Sequence, residues 1–418
     1  MNTSSNEIDS RRKLAYVNAL GTTYLHLRNP VIIALWSVAF PGAGHLLLSK
    51  YLRGFMLFIW EIFINCQAQV NLLILYSFIG DFEKAKEVVD LHWLFLYIPT
   101  YIFCIWDSYR AAVDLNHQYL LTESDQAKIK SFYLNALEVN YLDKRKPWVA
   151  TAWSVFAPGA GQLYNQNTIA ALFIWGCWVC VVYFSNLLPG IYLTFFGYFK
   201  EAKQILNMHW LLNIPSLYLF TIYFAYTCTI ENNKLFEHEQ ARLLRTNYQS
   251  SQFKLPFGAQ DRGDYMYTIA TFEHSVFLEL AIQALQKQGV NKEKILAVPM
   301  TKNSEEPMFF DTIHTSDGQS TLDVPCILAV LFGALGSIYG FVLYWGPLIW
   351  GLIGIVFGIL LGLVIKIYSK KLSFKQNAKK SEVVLLIEVL ENQAPMVEKT
   401  LWAHHAIGVS RLDMKNEA

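Results

Sequence analysis

Long stretches without charged side chains are the feature that most constrains the fold of this chain. Trp148–Phe199 contains no Asp, Glu, Lys or Arg over 52 residues, and Val324–Ile365 contains none over 42. Val31–Ser49 is also uncharged, and Gly54–Gly80 carries only Glu61. Because about 20 apolar residues cross a bilayer, these stretches predict membrane helices in a multi-pass protein.

The composition agrees with a membrane location. Only 16% of the residues are charged and 54% are hydrophobic, whereas soluble domains carry about 25% charged residues. The 34 basic and 33 acidic residues give a net charge of +1, so no basic excess indicates nucleic-acid binding. The predicted partner is the lipid bilayer, with no nucleic acid. The polar first residues predict no cleavable signal peptide.

Two sequence motifs recur at an offset of 117 residues. "WSVAFPGAG" from Trp36 returns as "WSVFAPGAG" from Trp153, and "FEKAKEVVDLHWL" from Phe82 returns as "FKEAKQILNMHWL" from Phe199. The same offset at both anchors predicts an internal duplication. We place repeat 1 at 29–116 and repeat 2 at 146–233, each with about three to four apolar helices, as an all-α polytopic membrane part.

The orientation of the two copies is open on the sequence alone. Three spans per copy would invert one copy relative to the other, as in many transporters. Basic residues instead favour a cytoplasmic location for the polar segment 1–28, the basic linker 117–145 and the region after Ile365. That location requires an even number of crossings, for instance if 54–80 and 169–199 fold into hairpins or re-entrant pairs. It favours parallel copies.

The C-terminal part follows a charged linker at 234–263 and predicts a different fold. Strand and helix patterns at 264–300 and 381–413 give two βαβ units, which together predict a small α+β ferredoxin-like domain. A glycine-rich transmembrane hairpin at 324–365 is inserted between them. The lysines that follow the hairpin place this domain in the cytoplasm; they are Lys366, Lys370, Lys371, Lys375, Lys379 and Lys380.

The Pro-Gly-Ala-Gly runs resemble phosphate loops only superficially. Neither is followed by the Lys-Ser/Thr pair of a Walker loop, and neither has the third glycine of a dinucleotide loop. The runs predict a helix end with a tight turn. The residues concerned are Pro41, Gly42, Gly44, Pro158, Gly159 and Gly161.

The hairpin at 324–365 carries glycines spaced by four residues, a glycine zipper. Such spacing lets helices approach closely. The two hairpin helices could pack only on each other, or they could also build a homo-oligomer. The glycines are Gly336, Gly340, Gly354, Gly358 and Gly362.

Polar residues within the apolar stretches are the candidate site residues. Glu61 and Asn65 form a candidate intramembrane polar site, since ionisable residues in membranes often mark ion or proton paths. A polar break near the membrane surface is the alternative. His92-Trp93 and His209-Trp210 match between the copies and predict interfacial anchors; a metal site has no support from ligand spacing.

No residue pattern indicates catalysis or a cofactor. The chain shows no nucleophile–base pairing and no repeated carboxylate dyad. The six cysteines lie in or beside apolar stretches, where cysteine behaves as a small hydrophobe. We therefore predict no enzyme, no disulfide, no metal and no cofactor.

Two resemblances add to this interpretation. "PGAGQLYNQ" resembles the Pro-Gly-x-Gly-Gln-x-Tyr-Asn turn between two transmembrane helices in bacterial TM2-type membrane proteins. Repeat 1 departs from it at His45 and Leu47. The C-terminal part is similar to bacterial stress-protein-type domains, in which a glycine-rich apolar hairpin interrupts or follows βαβ units. Both resemblances imply a membrane location and little chemistry.

The function predicted from the sequence is a non-enzymatic scaffold or sensor. It would be an integral, multi-pass protein of the plasma (inner) membrane. Its cytoplasmic α+β domain would bind a ligand or partner that the sequence does not specify, in a stress- or envelope-related role. The alternative is a transporter or channel in which the two repeats enclose a path.

Overall fold

The computed structural model describes residues 13–124, 129–136, 138–249, 253, 265–300, 322–369 and 382–412. These residues are mostly helical with a small sheet, which confirms the coarse fold prediction. They divide into two compact units. The helical unit comprises the described residues of Met1–Tyr141, Lys146–Glu231 and Phe309–Ser373, and the sheet unit comprises those of Leu142–Arg145, Asn232–Met308 and Phe374–Ala418.

The two copies contain equivalent elements in the same order, with one exception. Copy 1 consists of β1 (Ala15–Asn18), β2 (Gly21–Tyr24), α1 (Pro30–Ala39), α2 (Ala43–Leu47), α3 (Tyr51–Ala68), α4 (Val70–Ile79), α5 (Phe82–Val88) and α6 (Leu91–Ser124). Copy 2 consists of β3 (Phe132–Leu134), β4 (Val139–Tyr141), α7 (Pro147–Phe156), α8 (Ala160–Tyr164), α9 (Thr168–Phe184), α10 (Leu187–Phe195), α11 (Phe199–Ile205), α12 (Met208–Leu211) and α13 (Ile214–Tyr248). The single helix α6 of copy 1 thus corresponds to two helices, α12 and α13, in copy 2.

Backbone geometry repeats at the same offset as the motifs. Left-handed residues occur in four pairs, each 117 residues apart, among them Gly42 (φ 92°) with Gly159 (φ 100°) and Gln69 (φ 58°) with Asn186 (φ 54°). The other two pairs are Ser49 with Gln166 and Gly80 with Gly197. The chain therefore turns at equivalent points in both copies.

Each copy begins earlier in the chain than the predicted repeat starts, residues 29 and 146. The hairpins β1–β2 and β3–β4 share their register, with Ala15 opposite Tyr24 and Phe132 opposite Tyr141. Each hairpin lies within a segment that the sequence analysis treated as a flank, 1–28 or 117–145. "YxNAL" at Tyr16 and again at Tyr133 was the available signal.

The chain reverses direction between α1 and α2. Arg28 Nη2 donates to Leu47 O at 3.2 Å, so the two ends of the α1–α2 segment lie side by side. Tyr101 OH on α6 donates to Val38 O at 2.7 Å, at the other end of α1. Since α1 has only ten residues, about 15 Å of helix, the prediction that Val31–Ser49 spans a membrane is wrong.

Copy 2 repeats this return. Tyr218 OH donates to Val155 O at 2.7 Å, the equivalent of the Tyr101 bond. Lys146 N donates to Tyr164 OH at 3.3 Å, which brings the two ends of α7–α8 together.

The Pro-Gly-Ala-Gly runs form the turns of these returns. Pro41 and Pro158 lie between the two helices, and Gly42 and Gly159 precede α2 and α8 with left-handed φ. A Cβ on Gly44 or Gly161 would lie closer than 3.0 Å to the carbonyl oxygen of residue 33 or 150 and to the hydroxyl of residue 37 or 154. The second glycine thus permits the short helix to pack directly on the preceding one.

The longer apolar stretches are bent helices. Tyr51–Ala68 and Val70–Ile79 meet at 59°, as do Thr168–Phe184 and Leu187–Phe195. A hairpin would reverse the chain, so neither 54–80 nor 169–199 is a hairpin. A third bent pair, Phe82–Val88 with Leu91–Thr122, meets at 91°. Among the described residues, three helices are long and apolar enough to cross a membrane, or up to six if each of the three bent pairs is one span.

The copies pack through different faces. Trp36 on α1 is fully buried, with its ring 5.5 Å from Phe220 and 4.8 Å from Tyr223 on α13. The equivalent Trp153 on α7 is 54% exposed. Trp36 on the first helix of copy 1 therefore packs against the last helix of copy 2. Trp153 on the first helix of copy 2 is not buried in the same way.

The sheet unit contains β5 (Tyr265–Glu273), α14 (Val276–Lys287), β6 (Ile295–Pro299), β7 (Glu382–Leu390), α17 (Ala394–Ala403) and β8 (Gly408–Leu412). The strand order is β6-β7-β5-β8, and all neighbours are antiparallel. Alternate β7 residues from Val383 to Val389 enter a core that they share with Ile282 of α14, Val397 of α17 and Leu244 of α13.

The glycine hairpin, which comes between β6 and β7 along the chain, consists of α15 (Asp323–Gly340) and α16 (Gly346–Ser369). Each predicted glycine faces the other helix. A Cβ on any of the five would lie closer than 3.0 Å to backbone of the opposite helix. These glycines therefore face the contact between α15 and α16 within one chain. The predicted homo-oligomer would have to form through other surfaces of the hairpin.

Gly161 provides a direct test of the close packing at the turn. Alanine there would meet Ser154 Oγ, Ala150 O and Ala225 Cβ, whereas a Cβ on Gly176 in α9 would meet nothing within 4 Å. We expect Gly161→Ala to lower the free energy of unfolding by about 1–3 kcal/mol through overpacking. Gly176→Ala should leave it unchanged or raise it. Unfolding in detergent measures both, and equal effects would contradict the packing.

Candidate functional site

The predicted polar residues Glu61 and Asn65 lie together on one face of α3, four residues apart as helix neighbours. Both are buried. Asn65 Nδ2 donates to Glu61 Oε1 at 3.2 Å, and Tyr97 OH on α6 donates to the same oxygen at 3.1 Å. The Glu61 carboxylate therefore has two donors within copy 1.

Asn71 extends this group across the bend between α3 and α4. Its backbone N–H donates to Asn65 Oδ1 at 3.2 Å, and Asn65 Nδ2 donates to Asn71 Oδ1 at 3.2 Å. Asn71 Nδ2 donates to His209 O of copy 2 at 2.8 Å. We call Glu61, Asn65, Asn71 and Tyr97 the bend cluster. It satisfies polar groups where the helix breaks, as buried groups require, and it joins the two copies.

The bend cluster belongs to copy 1 alone. The equivalent positions in copy 2 are Trp178, Val182, Leu188 and Ile214. The bend of copy 2 uses another bond, from Asn186 Nδ2 to Ile205 O at 3.0 Å. The two copies thus share the bend but not the side chains that fix it.

The two His-Trp pairs match in backbone geometry. Asp90 Oδ1 accepts hydrogen bonds from His92 N at 2.9 Å and from Trp93 N at 3.3 Å. In copy 2, Asn207 Oδ1 accepts equivalent bonds from His209 N at 3.1 Å and Trp210 N at 3.4 Å. Each pair follows a side-chain cap at a helix start.

The two histidine side chains differ in environment. The His92 side chain is 99% exposed, whereas His209 is 6% exposed and neither of its ring nitrogens has a hydrogen-bond partner among the described residues. His209 contacts the bend cluster through its carbonyl, and His92 does not. Within the described part of the chain, no group of three His, Cys, Asp or Glu could hold a metal ion.

Sequence reasoning missed a buried ion pair between the copies. Arg28 Nη2 lies 2.6 Å from Glu231 Oε1 and 2.7 Å from Oε2, and both residues are buried. Tyr24 OH donates to Glu231 Oε2 at 2.6 Å, and His26 Nε2 lies 3.0 Å from Oε1. This Arg28–Glu231 pair fixes the segment before α1 to helix α13 of copy 2.

A buried histidine, His274, follows β5 in the sheet unit. His274 Nδ1 lies 3.0 Å from Gln240 Oε1, and Gln240 Nε2 donates to Ser275 O at 2.7 Å. Burial lowers the pKa of His274, which favours the neutral ring at pH 7. These bonds fix the end of β5 to residues 232–248 of α13.

No family model, no curated protein and no solved structure matches this chain. The resemblance to TM2-type and stress-protein-type domains therefore stays a prediction.

Replacing one member of the Arg28–Glu231 pair should cost more than replacing both. Arg28→Met leaves a buried carboxylate without its cation, which costs about 3–5 kcal/mol. The double variant Arg28→Met/Glu231→Leu removes both charges and should lose less. Unfolding in detergent measures the difference.

The control is Arg110→Met, whose ion pair with Asp114 is exposed on both sides and is worth about 0–1 kcal/mol. Losses that simply add in the double variant would show that the two side chains are not coupled.

Proposed function

We propose that this chain is a multi-pass integral protein of a bacterial inner membrane that acts as a non-enzymatic scaffold or sensor. It holds its sheet unit on the cytoplasmic side, where that unit binds a ligand or partner. Apolar surface supports the membrane location. Helix α16 exposes Leu352, Val356, Leu360 and Val364, and a large exposed apolar face is unfavourable in water but suits lipid.

The path of each copy supports the topology. The segments α1–α2 and α7–α8 each end close to where they begin, so they act as re-entrant loops. Such loops are tolerated within a membrane when their backbone is buried in protein. Each copy then crosses twice, once through its bent helix pair and once through its last long helix. Two crossings per copy place the N-terminal segment, the linker and the sheet unit on one side, as their basic residues favour.

The sheet unit supports a binding role. Numbered within the unit, its strand order is 2-3-1-4 with antiparallel neighbours. We interpret it as a ferredoxin-like, split βαβ arrangement. The stress- or envelope-related role rests on resemblance alone.

Helix α13 is the observation that carries the proposal. It is continuous from Ile214 to Tyr248. Its first part supplies Phe220, Tyr223 and Phe224 to the core of the helical unit, and its last part supplies Leu244 to the core of the sheet unit. Helix α13 therefore belongs to both compact units along the chain, and this continuity supports the proposal.

A transporter or channel is the second candidate, and the bend cluster is what favours it. Glu61 is a buried carboxyl group at a helix bend, and ionisable groups in such positions often line ion paths. Yet the cluster also performs a structural task, because its members bond to one another and to His209 O. Many transporters are built from two repeats of opposite membrane orientation. If the two copies here have the same orientation, this similarity to transporters is lost.

Side-specific cysteine labelling tests the topology. Four exposed positions are changed one at a time in a cysteine-free background: Ser131→Cys, Lys287→Cys, Lys86→Cys and Lys200→Cys. We expect a membrane-impermeant maleimide to label residues 131 and 287 from the cytoplasmic side. It should label residues 86 and 200, which follow the bent helices, from the opposite side.

Lys86 and Lys200 control for each other, since they lie on the equivalent helices α5 and α11. Labelling of residue 131 from outside, or of residues 86 and 200 from opposite sides, would contradict parallel copies and favour the transporter.

A further inference from the structure

Copy 1 carries a charged cavity that the proposed function does not use. Its volume is about 280 Å³. We call it the Lys50 cavity. It is lined by Lys50, Arg53, Asp107, Arg110, Ala111 and Asp114, three cationic and two anionic side chains with one alanine.

Both carboxylates of the Lys50 cavity are already paired. Asp107 Oδ2 lies 2.8 Å from Arg53 Nη1 and 2.9 Å from Nε2 of the fully buried His45. Asp114 Oδ2 lies 3.7 Å from Arg110 Nε. Lys50 makes no ion pair within 4 Å among the described residues, although the two carboxylates attract its ammonium. With three cationic and two anionic side chains, the cavity has a net charge of +1.

The charges are not required by the repeated fold. The positions equivalent to Lys50, Arg53, Asp107 and Arg110 are Asn167, Ala170, Phe224 and Thr227 in copy 2, all uncharged. There the equivalent surface is covered by copy 1: Tyr51 OH accepts from Asn167 Nδ2 at 2.6 Å, and Trp36 packs on α13. Copy 1 is therefore charged at four lining positions where copy 2 is uncharged, whereas the fifth, Asp114, corresponds to the buried Glu231.

Exposed aromatic residues near the Lys50 cavity favour a position at the level of lipid headgroups. Trp106 and Tyr109 are exposed on α6 beside it, and aromatic side chains of this kind concentrate at membrane interfaces. The Arg110 guanidinium lies 5.4 Å from the Trp106 ring centroid. Along α6, charged side chains begin at Asp107 after the apolar part of the helix.

We propose that the Lys50 cavity binds a phosphate group, carried by an anionic phospholipid headgroup or by a free phosphate ion. The Lys50 ammonium is the principal ligand, as a compact point charge. Arg53 and Arg110 line the cavity together with Lys50. Each guanidinium has N–H groups that do not bond to its carboxylate partner and can donate charge-assisted hydrogen bonds to phosphate, which are stronger than neutral ones. The proposal goes beyond the proposed function and relies on it only for the lipid as a source of phosphate.

Binding is measured on the purified full-length protein in neutral detergent, by native mass spectrometry and by thermal unfolding. The probes are phosphatidylglycerol, diacylglycerol as a lipid without phosphate, and inorganic phosphate. We expect phosphatidylglycerol to bind and diacylglycerol not to bind. Lys50→Asn, which introduces the residue of copy 2, should weaken phosphatidylglycerol binding about tenfold through loss of one charge-assisted bond.

Lys86→Asn on the exposed surface of α5 is the matched control and should bind as the unaltered protein does. Binding of phosphatidylglycerol alone assigns the cavity to a headgroup, and binding of inorganic phosphate as well assigns it to phosphate in general; both support the site. Unchanged binding in Lys50→Asn, or equal weakening in Lys86→Asn, overturns it.

If Lys50→Asn fails to fold without ligand, Arg110→Gln takes its place with the same expectation. The test is separate from the labelling experiment. Inorganic phosphate that binds and depends on Lys50 upholds the cavity site even where the labelling pattern contradicts the topology.

Discussion

The close approach of two backbone segments at Gly44, and again at Gly161, is the constraint on which the helical unit depends. Any side chain at these positions would collide with a carbonyl oxygen of the preceding helix. Because the glycines allow the short helix to lie against the first one, the chain returns and Leu47 meets Arg28. The long helix α3 consequently starts beside the polar part of α6, where Arg53 meets Asp107.

The two copies share backbone geometry, but many of the side chains at equivalent positions differ. Turns, bends and caps recur at 117 residues. The bend cluster and the charged cavity occur only in copy 1. The Arg28–Glu231 pair joins the start of copy 1 to the end of copy 2. The pairing of the copies is one-sided: Trp36 of copy 1 is buried against copy 2, whereas the equivalent Trp153 is exposed.

The sequence located the apolar segments and the two copies, but it did not show whether each apolar segment continues, bends or turns back. Absence of charge located the apolar stretches, and the period of the motifs located the two copies. Hydropathy records how long a stretch stays apolar, not whether it turns back, so Val31–Ser49 looked like a span. The left-handed residues Gln69 and Asn186 bend the later stretches without reversing them, and no composition signal distinguishes a bend from a hairpin.

The candidate site was predicted in part. Glu61 and Asn65 stood out because they interrupt an apolar run, and their spacing of four residues placed them on one helix face. Asn71 and Tyr97 joined them only through the tertiary fold. Arg28 and Glu231 are 203 residues apart, and no local pattern relates residues at such a distance. Nor does the sequence indicate that His209 is buried, because its counterpart His92 occurs in a matching motif and is exposed.

The distance between spin labels at Asn29 and Leu52, measured by pulsed electron paramagnetic resonance in lipid, tests the return of the chain most directly. Both positions flank the α1–α2 segment, one before it and one after it. If the segment returns, the labels lie on the same side and well within the roughly 30 Å thickness of the hydrocarbon core. A distance of about 30 Å or more would mean that the segment crosses the membrane, and it would contradict the two-crossing path of each copy.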